Sequence, residues 1–392
     1  MNRATRRWGS SGLAHLTGLP DGPPDFSRAN VLARAEAVAA AVARSGIAID
    51  AAAELTCRAA WLGLGRRGRV SAGGATRMLE ARDSWCAITL SRPDDVAAVP
   101  ALVQADDVGT DPWPALERWA ATRFTSTAVD RARLLDIPAA ALGEVVASPP
   151  RIRRLGARAA GRQMSDLLVA DLSSMWAGPL CGRLLARAGA TVVKVESPRR
   201  PDGTRNGSRA FFDWVNSEKL MYGIDFDAEA DEVRELLAAA DIVIEGSRPA
   251  ALARRRLGPA DAAARRGRIW LRIVGSWGGG PAFGDDAAVA GGLVGASAAG
   301  PVFCGDAVAD PLTGLEAFAA LHDSLTRGGG ELIEVSMAAV AATYAALPAE
   351  PSVAQCPAPP PVAPPPVEPA GALGADNVAV HRLVARRRCA AC

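Results

Sequence analysis

The chain has 392 residues, 49% of them hydrophobic, and a formal net charge of +2. That length is enough for two domains with hydrophobic cores. A charge near zero, with basic residues spread along the chain, argues against nucleic acid and membrane surfaces as partners. No apolar stretch reaches the ~18 residues that span a bilayer, and no apolar region of a signal peptide follows the N-terminus, so we expect a cytoplasmic protein.

Histidine and cysteine give little indication of a metal site. The three histidines and seven cysteines form no cluster with the spacing of a zinc site or a disulfide framework. Cys389 and Cys392 have C-x-x-C spacing, but no second pair accompanies them. We therefore predict no metal.

Residues 1–150 are predicted to form a small α/β domain. The first 25 residues are rich in Gly and Pro and indicate turns. The G-x-G-x-x-G letters at Gly63 to Gly68 do not indicate a nucleotide loop, because a helical pattern precedes them and a turn follows. We predict helices at 27–45, 51–62, 96–104, 113–123 and 126–135 and strands within 75–92.

A different pattern follows the basic, irregular linker predicted at 151–165. Strands and helices alternate over 166–347, which predicts a parallel sheet with right-handed crossovers. Nine prolines between 351 and 369 predict a semi-rigid linker over 348–370, and 371–392 forms a tail with a short helix. The predicted strands are 167–172, 191–196, 241–245, 269–274 and 331–336, and the predicted helices are 180–188 and 232–240.

Polar or glycine-rich loops follow four of these strands, at 173–178, at Ser197, at 246–248 and at 275–278. Ligands on a parallel sheet bind beyond the carboxyl ends of its strands. The sequence therefore predicts a binding site at these loops.

Asp310 is the candidate nucleophile. It precedes a helical pattern at 315–321 and is followed by Pro311 and Gly314. A positioned carboxylate can attack an acyl group and form a covalent intermediate. Asp306 lies one turn earlier and is the alternative nucleophile or a structural cap.

Lysine is rare in this chain. Of the 44 lysine and arginine residues, only Lys194 and Lys219 are lysines. A compact ammonium group suits a phosphate or a carboxylate. The alternative is that both are ordinary solvated surface residues.

Several motifs together resemble the class III CoA-transferase family, which includes formyl-CoA and carnitine-CoA transferases and α-methylacyl-CoA racemases. The resemblance runs from about Leu167 to Tyr344. It rests on segments 171–179, 189–196, 216–219, 248–258 and 275–281, and on Asp310 ahead of Gly314.

The resemblance implies an α/β fold with a Rossmann-like large domain and a smaller α/β domain, in two interlocked chains of a homodimer. It implies that Asp310 attacks an acyl-CoA thioester, and that coenzyme A passes to a carboxylic acid acceptor through a mixed anhydride. The positions that it implies for coenzyme A binding are Trp176, Ala177, Lys194, Arg199, Asn216, Lys219, Gly246, Ser247, Arg248 and Arg254.

The chain departs from the family pattern in two places. Racemases of this family have a Gly-His-Asp motif where this chain has Gly284, Asp285 and Asp286, which disfavours α-proton exchange unless burial makes Asp285 a base. Residues 8–24 and 73–90 look like a partial first family copy, without an aspartate at the nucleophile's place, fused ahead of the large domain. We expect residues 1–150 to serve as the small domain. Racemization of an acyl-CoA and a degenerate protein that only binds coenzyme A remain the alternative functions.

Overall fold

The computed structural model describes residues 2–43, 46–246 and 249–389, and shows a mixed α/β protein. Cys392 and the two predicted coenzyme A positions Ser247 and Arg248 lie outside the described residues. None of the described helices has the length and hydropathy needed to cross a bilayer.

Three helices open the chain: α1 (Arg3–Ser10), α2 (Ala29–Ala41) and α3 (Ala51–Leu62). Helix α3 has a clear local cause, since the Asp50 side chain accepts hydrogen bonds from Ala52 and Ala53 at its start, and Gly63 ends it in a left-handed conformation. Side chains of all three helices, among them Trp8, Leu32 and Leu55, are buried in one hydrophobic cluster with the C-terminal half of the chain.

A three-stranded antiparallel sheet follows, in the order β1-β2-β3. Four helices between β2 and β3 cover it and bury Leu116, Trp119 and Val129 in a core of their own. The elements are β1 (Thr76–Glu80), β2 (Trp85–Thr89), α4 (Pro93–Ala97), α5 (Val99–Val103), α6 (Trp113–Ala121), α7 (Thr125–Leu134) and β3 (Ala139–Ala141).

The main sheet has seven strands in the order β4-β12-β9-β8-β5-β6-β7. Strand β4 pairs antiparallel at one edge and the others pair in parallel. The parallel strands therefore have the order 3-2-1-4-5-6, that of doubly wound nucleotide-binding sheets, and the order reverses between β5 and β8. The strands are β4 (Arg151–Arg154), β5 (Leu168–Asp171), β6 (Thr191–Glu196), β7 (Leu220–Gly223), β8 (Ile242–Glu245) and β9 (Ile269–Val274), then the hairpin β10 (Val294–Ser297) and β11 (Gly300–Phe303), and β12 (Glu331–Ser336).

Both faces of this sheet are buried, which explains why its strands are apolar runs. Along β5, Val169 points into the cluster shared with the N-terminal helices, and Ala170 points into a second cluster on the opposite face. Helices α8 and α13 cover the first face, and α10 and α15 cover the second. The helices are α8 (Ala177–Arg187), α9 (Arg209–Asn216), α10 (Ala230–Ala239), α11 (Pro249–Ala253), α12 (Gly284–Ala290), α13 (Ala309–Thr326), α14 (Met337–Ala345) and α15 (Asn377–Cys389).

The proline-rich segment lies against the N-terminal helix. A Cβ built on Gly12 would be 2.5 Å from Pro361 Cα, so only a glycine allows this approach. Beyond the prolines, the Ala370 N–H donates to Asp213 in α9 at 2.8 Å. The segment therefore contacts the protein near the end of α1 and again at α9.

The predicted α/β fold with a parallel sheet is confirmed, and α3, β6, β9 and β12 have the predicted bounds. Two predictions are wrong: residues 3–10 form α1 instead of turns, and residues 151–154 of the predicted linker form β4. The division of the chain into domains stays a prediction. However, α1–α3 share their hydrophobic cluster with the main sheet, whereas 76–141 have a separate core.

Candidate active site

Asp310 lies in the first turn of α13, where that helix passes the start of α8. The approach is close because Gly314 has no side chain: a Cβ there would be 2.8 Å from the carbonyl oxygen of Ala177. Helix α8 begins at the carboxyl end of β5, next to the point where the strand order reverses. The fold therefore brings Asp310 to the sheet edge at which ligands of such sheets bind.

The carboxylate of Asp310 is half-buried and held by the backbone. The Gly284 N–H donates to its Oδ2 at 3.0 Å. Burial and the neighbouring Asp285 raise the pKa of Asp310 to about 7, while Arg58 and the backbone N–H groups of Gly284 and Ala177 oppose the rise. A carboxylate of this basicity is a stronger nucleophile than an ordinary one and is still ionised in part at neutral pH.

Three further buried carboxyl groups lie in the first turn of α12 and just before α13. Asp285 accepts from the Ala307 N–H at 3.0 Å, and burial together with Asp306 raises its pKa to about 6. Asp286 accepts from the Thr89 hydroxyl at 3.0 Å, and burial raises its pKa to about 7. Asp306 is fully buried, and burial raises its pKa as well. The four aspartates, 285, 286, 306 and 310, form what we call the carboxyl cluster.

The cation at this cluster comes from the N-terminal half. Arg58 on α3 donates from Nη1 to Oδ1 of Asp306 at 2.7 Å. Its guanidinium carbon lies 5.8 Å from the centre of the Trp176 ring, which places it beside the start of α8. Arg58 was missed by the sequence reasoning, since one arginine on an Ala-rich helix about 250 residues before Asp310 has no distinguishing pattern.

The two lysines that the sequence predicts as coenzyme A positions lie inside the protein. Both side chains are fully buried in ion pairs, Lys194 with Asp202 at 2.7 Å and Lys219 with Asp171 at 2.8 Å. Neither ammonium group is open to a phosphate, and neither is a solvated surface residue. Burial alone would raise the pKa of Asp171, but Lys219 and Lys194 hold it below its ordinary value.

These ion pairs fix the loop between β5 and α8. The Lys194 ammonium also donates to the Ser173 carbonyl oxygen, and Asp202 accepts from the Met175 N–H at 3.2 Å. The Lys219 ammonium donates to the Pro179 carbonyl oxygen at 2.8 Å. Because this loop leads into Trp176 and Ala177, the lysines position the helix start that faces Asp310.

The other predicted coenzyme A positions are dispersed. Trp176, Ala177 and Asn216 are buried, and Trp176 packs edge-on against Phe211 with ring centres 5.0 Å apart. The Asn216 Oδ1 is buried without a hydrogen-bond partner among the described residues.

Three of these positions are exposed: Arg199, which pairs with Asp225 at 2.7 Å, Gly246 and Arg254. Gly246 follows β8 at the sheet edge that also carries the β5 loop. The structure thus brings Trp176 and Ala177 to Asp310, and leaves Arg199 and Arg254 at the surface.

Comparison with known proteins assigns this half of the chain to a family. Residues 164–362 match the sequence model of CoA-transferase family III. A succinyl-CoA–D-citramalate CoA-transferase from Chloroflexus aurantiacus is 30% identical over 198 residues, which are 45% of this chain and 49% of that protein. A formyl-CoA:oxalate CoA-transferase from Escherichia coli is 34% identical over 98 residues, 23% of this chain and 24% of its own length. The chain matches about half or less of the length of these relatives.

A solved structure of a CAIB/BAIF family protein from Brucella suis is also similar. It is 28% identical, with a TM-score of 0.43, and the similarity covers 47% of this chain and 56% of that one.

Proposed function

Because this chain belongs to CoA-transferase family III, we propose that it transfers coenzyme A from an acyl-CoA thioester to a carboxylic acid, with Asp310 as the nucleophile. The observation that carries the proposal is the position of Asp310. It is a half-buried carboxylate facing the start of α8, at the sheet edge where a nucleotide-like ligand is expected.

The proposed chemistry balances without any further reactant. The Asp310 carboxylate attacks the thioester carbonyl carbon, a C–O bond forms, and the C–S bond breaks to release the coenzyme A thiolate. The thiolate then attacks the Asp310 carbonyl carbon of the mixed anhydride, which releases the donor acid and leaves an aspartyl thioester. The acceptor carboxylate attacks that thioester, and the released thiolate attacks the acceptor carbonyl of the second anhydride, which yields the new acyl-CoA and frees Asp310.

The surroundings of Asp310 support this role. The N–H groups of Gly284 and of Ala177 at the start of α8 donate to the Asp310 carboxyl group, so they can stabilise the negative charge that develops on its oxygen when its carbonyl carbon is attacked. The lysine ion pairs hold the donor at the start of α8 in place before the substrate arrives. Preorganised donors of this kind typically contribute ~10²–10³-fold each to such reactions.

Small acids that carry a second carboxylate are the proposed substrate class. The names of the relatives include succinyl-CoA, D-citramalate and oxalate. We place coenzyme A along the loops that follow β5, β6 and β8, where Trp176, Ala177 and Gly246 lie. The expected homodimer and cytoplasmic location belong to the same proposal.

The test is a transfer assay with succinyl-CoA or formyl-CoA as donor and a panel of carboxylic acids as acceptors. The wild-type chain is expected to form the acceptor's thioester, and Asp310→Asn is expected to lose at least ~10³-fold in rate, because an amide cannot form the anhydride. The transfer rate of Asp306→Asn is measured in the same assay, because Asp306 is the alternative nucleophile. Equal transfer by wild type and Asp310→Asn would refute the proposal.

A second candidate function is proton exchange at the α-carbon of an acyl-CoA. It is favoured by one observation: Asp285 stands beside Asp310, and the pKa values of the two groups are raised to about 6 and about 7. Two such carboxyl groups can act as base and acid on opposite sides of a carbon. Incorporation of solvent deuterium at the α-carbon without transfer of coenzyme A would favour this function over the first.

A further inference from the structure

The carboxyl cluster poses an electrostatic problem for the proposed reaction. An acceptor acid reaches Asp310 as a carboxylate, and the carboxyl group of Asp285 stands beside Asp310. Like charges this close in a partly buried site repel strongly. A site for an anionic acceptor therefore requires a cation.

Within the described residues, Arg58 is the cation that contacts the cluster. A guanidinium has five N–H donors, and the described structure gives that of Arg58 one hydrogen-bond acceptor, Oδ1 of Asp306 at 2.7 Å. The side chain keeps 25% of its surface exposed although Asp306 is fully buried. Donors of Arg58 therefore remain available beside Asp310.

Three contacts hold the guanidinium in place. Asp306 binds one end of it, the Trp176 ring lies 5.8 Å away, and Gly73 borders Nη2, since a Cβ on Gly73 would be 2.8 Å from that nitrogen. Because the planar guanidinium is held from several sides, its parallel N–H donors stay oriented to bind a carboxylate through two hydrogen bonds.

We propose that Arg58 is a specificity-determining residue that binds the carboxylate of the acceptor acid beside Asp310. This inference rests on the proposed function and identifies the part of the chain that selects the acceptor. It gives the N-terminal half, through α3, a direct contact with a substrate.

The test separates binding from catalysis. Dissociation constants for succinate and for its uncharged analogue succinamide are measured by calorimetry on the full chain in the presence of coenzyme A. The variant is Arg58→Met with Asp306→Asn, which removes both partners and leaves no unpaired buried charge. Arg58→Lys is the second variant, since it keeps the positive charge but loses the parallel N–H donors of the guanidinium.

We expect the double variant to bind succinate ~10- to 100-fold more weakly, as for a lost charged hydrogen bond, and succinamide unchanged. The succinate affinity of Arg58→Lys should lie between that of the wild type and that of the double variant. In the transfer assay the KM for the acceptor should rise in the same order.

Unchanged succinate affinity in the double variant would overturn the inference, as would an equal loss of succinamide affinity. Failure of the wild type to acylate Asp310 would refute the proposed function alone, because the succinate and succinamide affinities test Arg58 without catalysis.

Discussion

Gly284 positions the proposed nucleophile, and replacing it with alanine should misplace Asp310. The N–H of Gly284 donates to Asp310 at 3.0 Å. A Cβ added to Gly284 would lie 2.2 Å from the Ala307 carbonyl oxygen and 2.5 Å from Oδ2 of Asp310, whereas ordinary contacts begin at 3.4 Å. Neither neighbour is the flexible end of a long side chain, so the segment must move.

The size of the effect follows from these distances. The contacts become ordinary only if α12 and the start of α13 separate by roughly 1 Å. A misplacement of this size costs ~10²-fold in the rate of a reaction that depends on positioning. The overpacking itself should destabilise the fold by about 1–3 kcal/mol.

The assay compares Gly284→Ala with Gly161→Ala. Gly161 is exposed and a Cβ there would meet nothing within 4 Å, so the control changes the same atoms without a clash. The rate of Asp310 acylation is measured by single turnover, and the folded fraction by urea denaturation of the same samples. If folded Gly284→Ala acylates as fast as the control, the positioning argument is wrong.

Three other predictions concern the buried charges. Acylation should become faster as pH rises through about 7, where Asp310 ionises, and Asp285→Asn should move the midpoint to lower pH because it removes a like charge. Lys219→Met should destabilise the fold by about 3–5 kcal/mol in urea denaturation, since it leaves Asp171 buried and unpaired; a change below ~1 kcal/mol would contradict the role of that ion pair. The folded protein binds the Asp286 proton more tightly than the unfolded chain does, so ionisation of this group lowers the stability of the wild type as pH rises from ~4 to about 7. Asparagine does not ionise. The free energy of unfolding of Asp286→Asn, taken relative to wild type, should therefore be higher at pH 8 than at pH 5.

The main sheet could be predicted because its strands are buried on both faces. Ile269–Val274 and Glu331–Ser336 combine closely spaced apolar residues with sharp turn signals around them, and both bounds are confirmed. Strand β4 has no such signal: Arg151–Arg154 is an exposed edge strand of basic residues, held by pairing with β12. Its pairing partner lies about 180 residues away, where no local pattern can indicate it.

The site could be predicted only in part, for a similar reason. Asp310 and the loop at 173–178 were found because strand ends and a family pattern mark them. Arg58 reaches the cluster through the packing of α3 against α13, which depends on tertiary contacts of the N-terminal helices. The burial of Lys194 and Lys219 could not be predicted, because only the structure reveals that each lysine meets a buried aspartate.

The central claim is that Asp310 carries the acyl group, and trapping with hydroxylamine tests it most directly. The protein is incubated with succinyl-CoA in the absence of an acceptor, hydroxylamine is added, and the modified peptide is identified by mass spectrometry. A hydroxamate on Asp310, absent in Asp310→Asn, is the result that we predict. A hydroxamate on Asp306 instead, or release of coenzyme A with no modified aspartate, would contradict the claim.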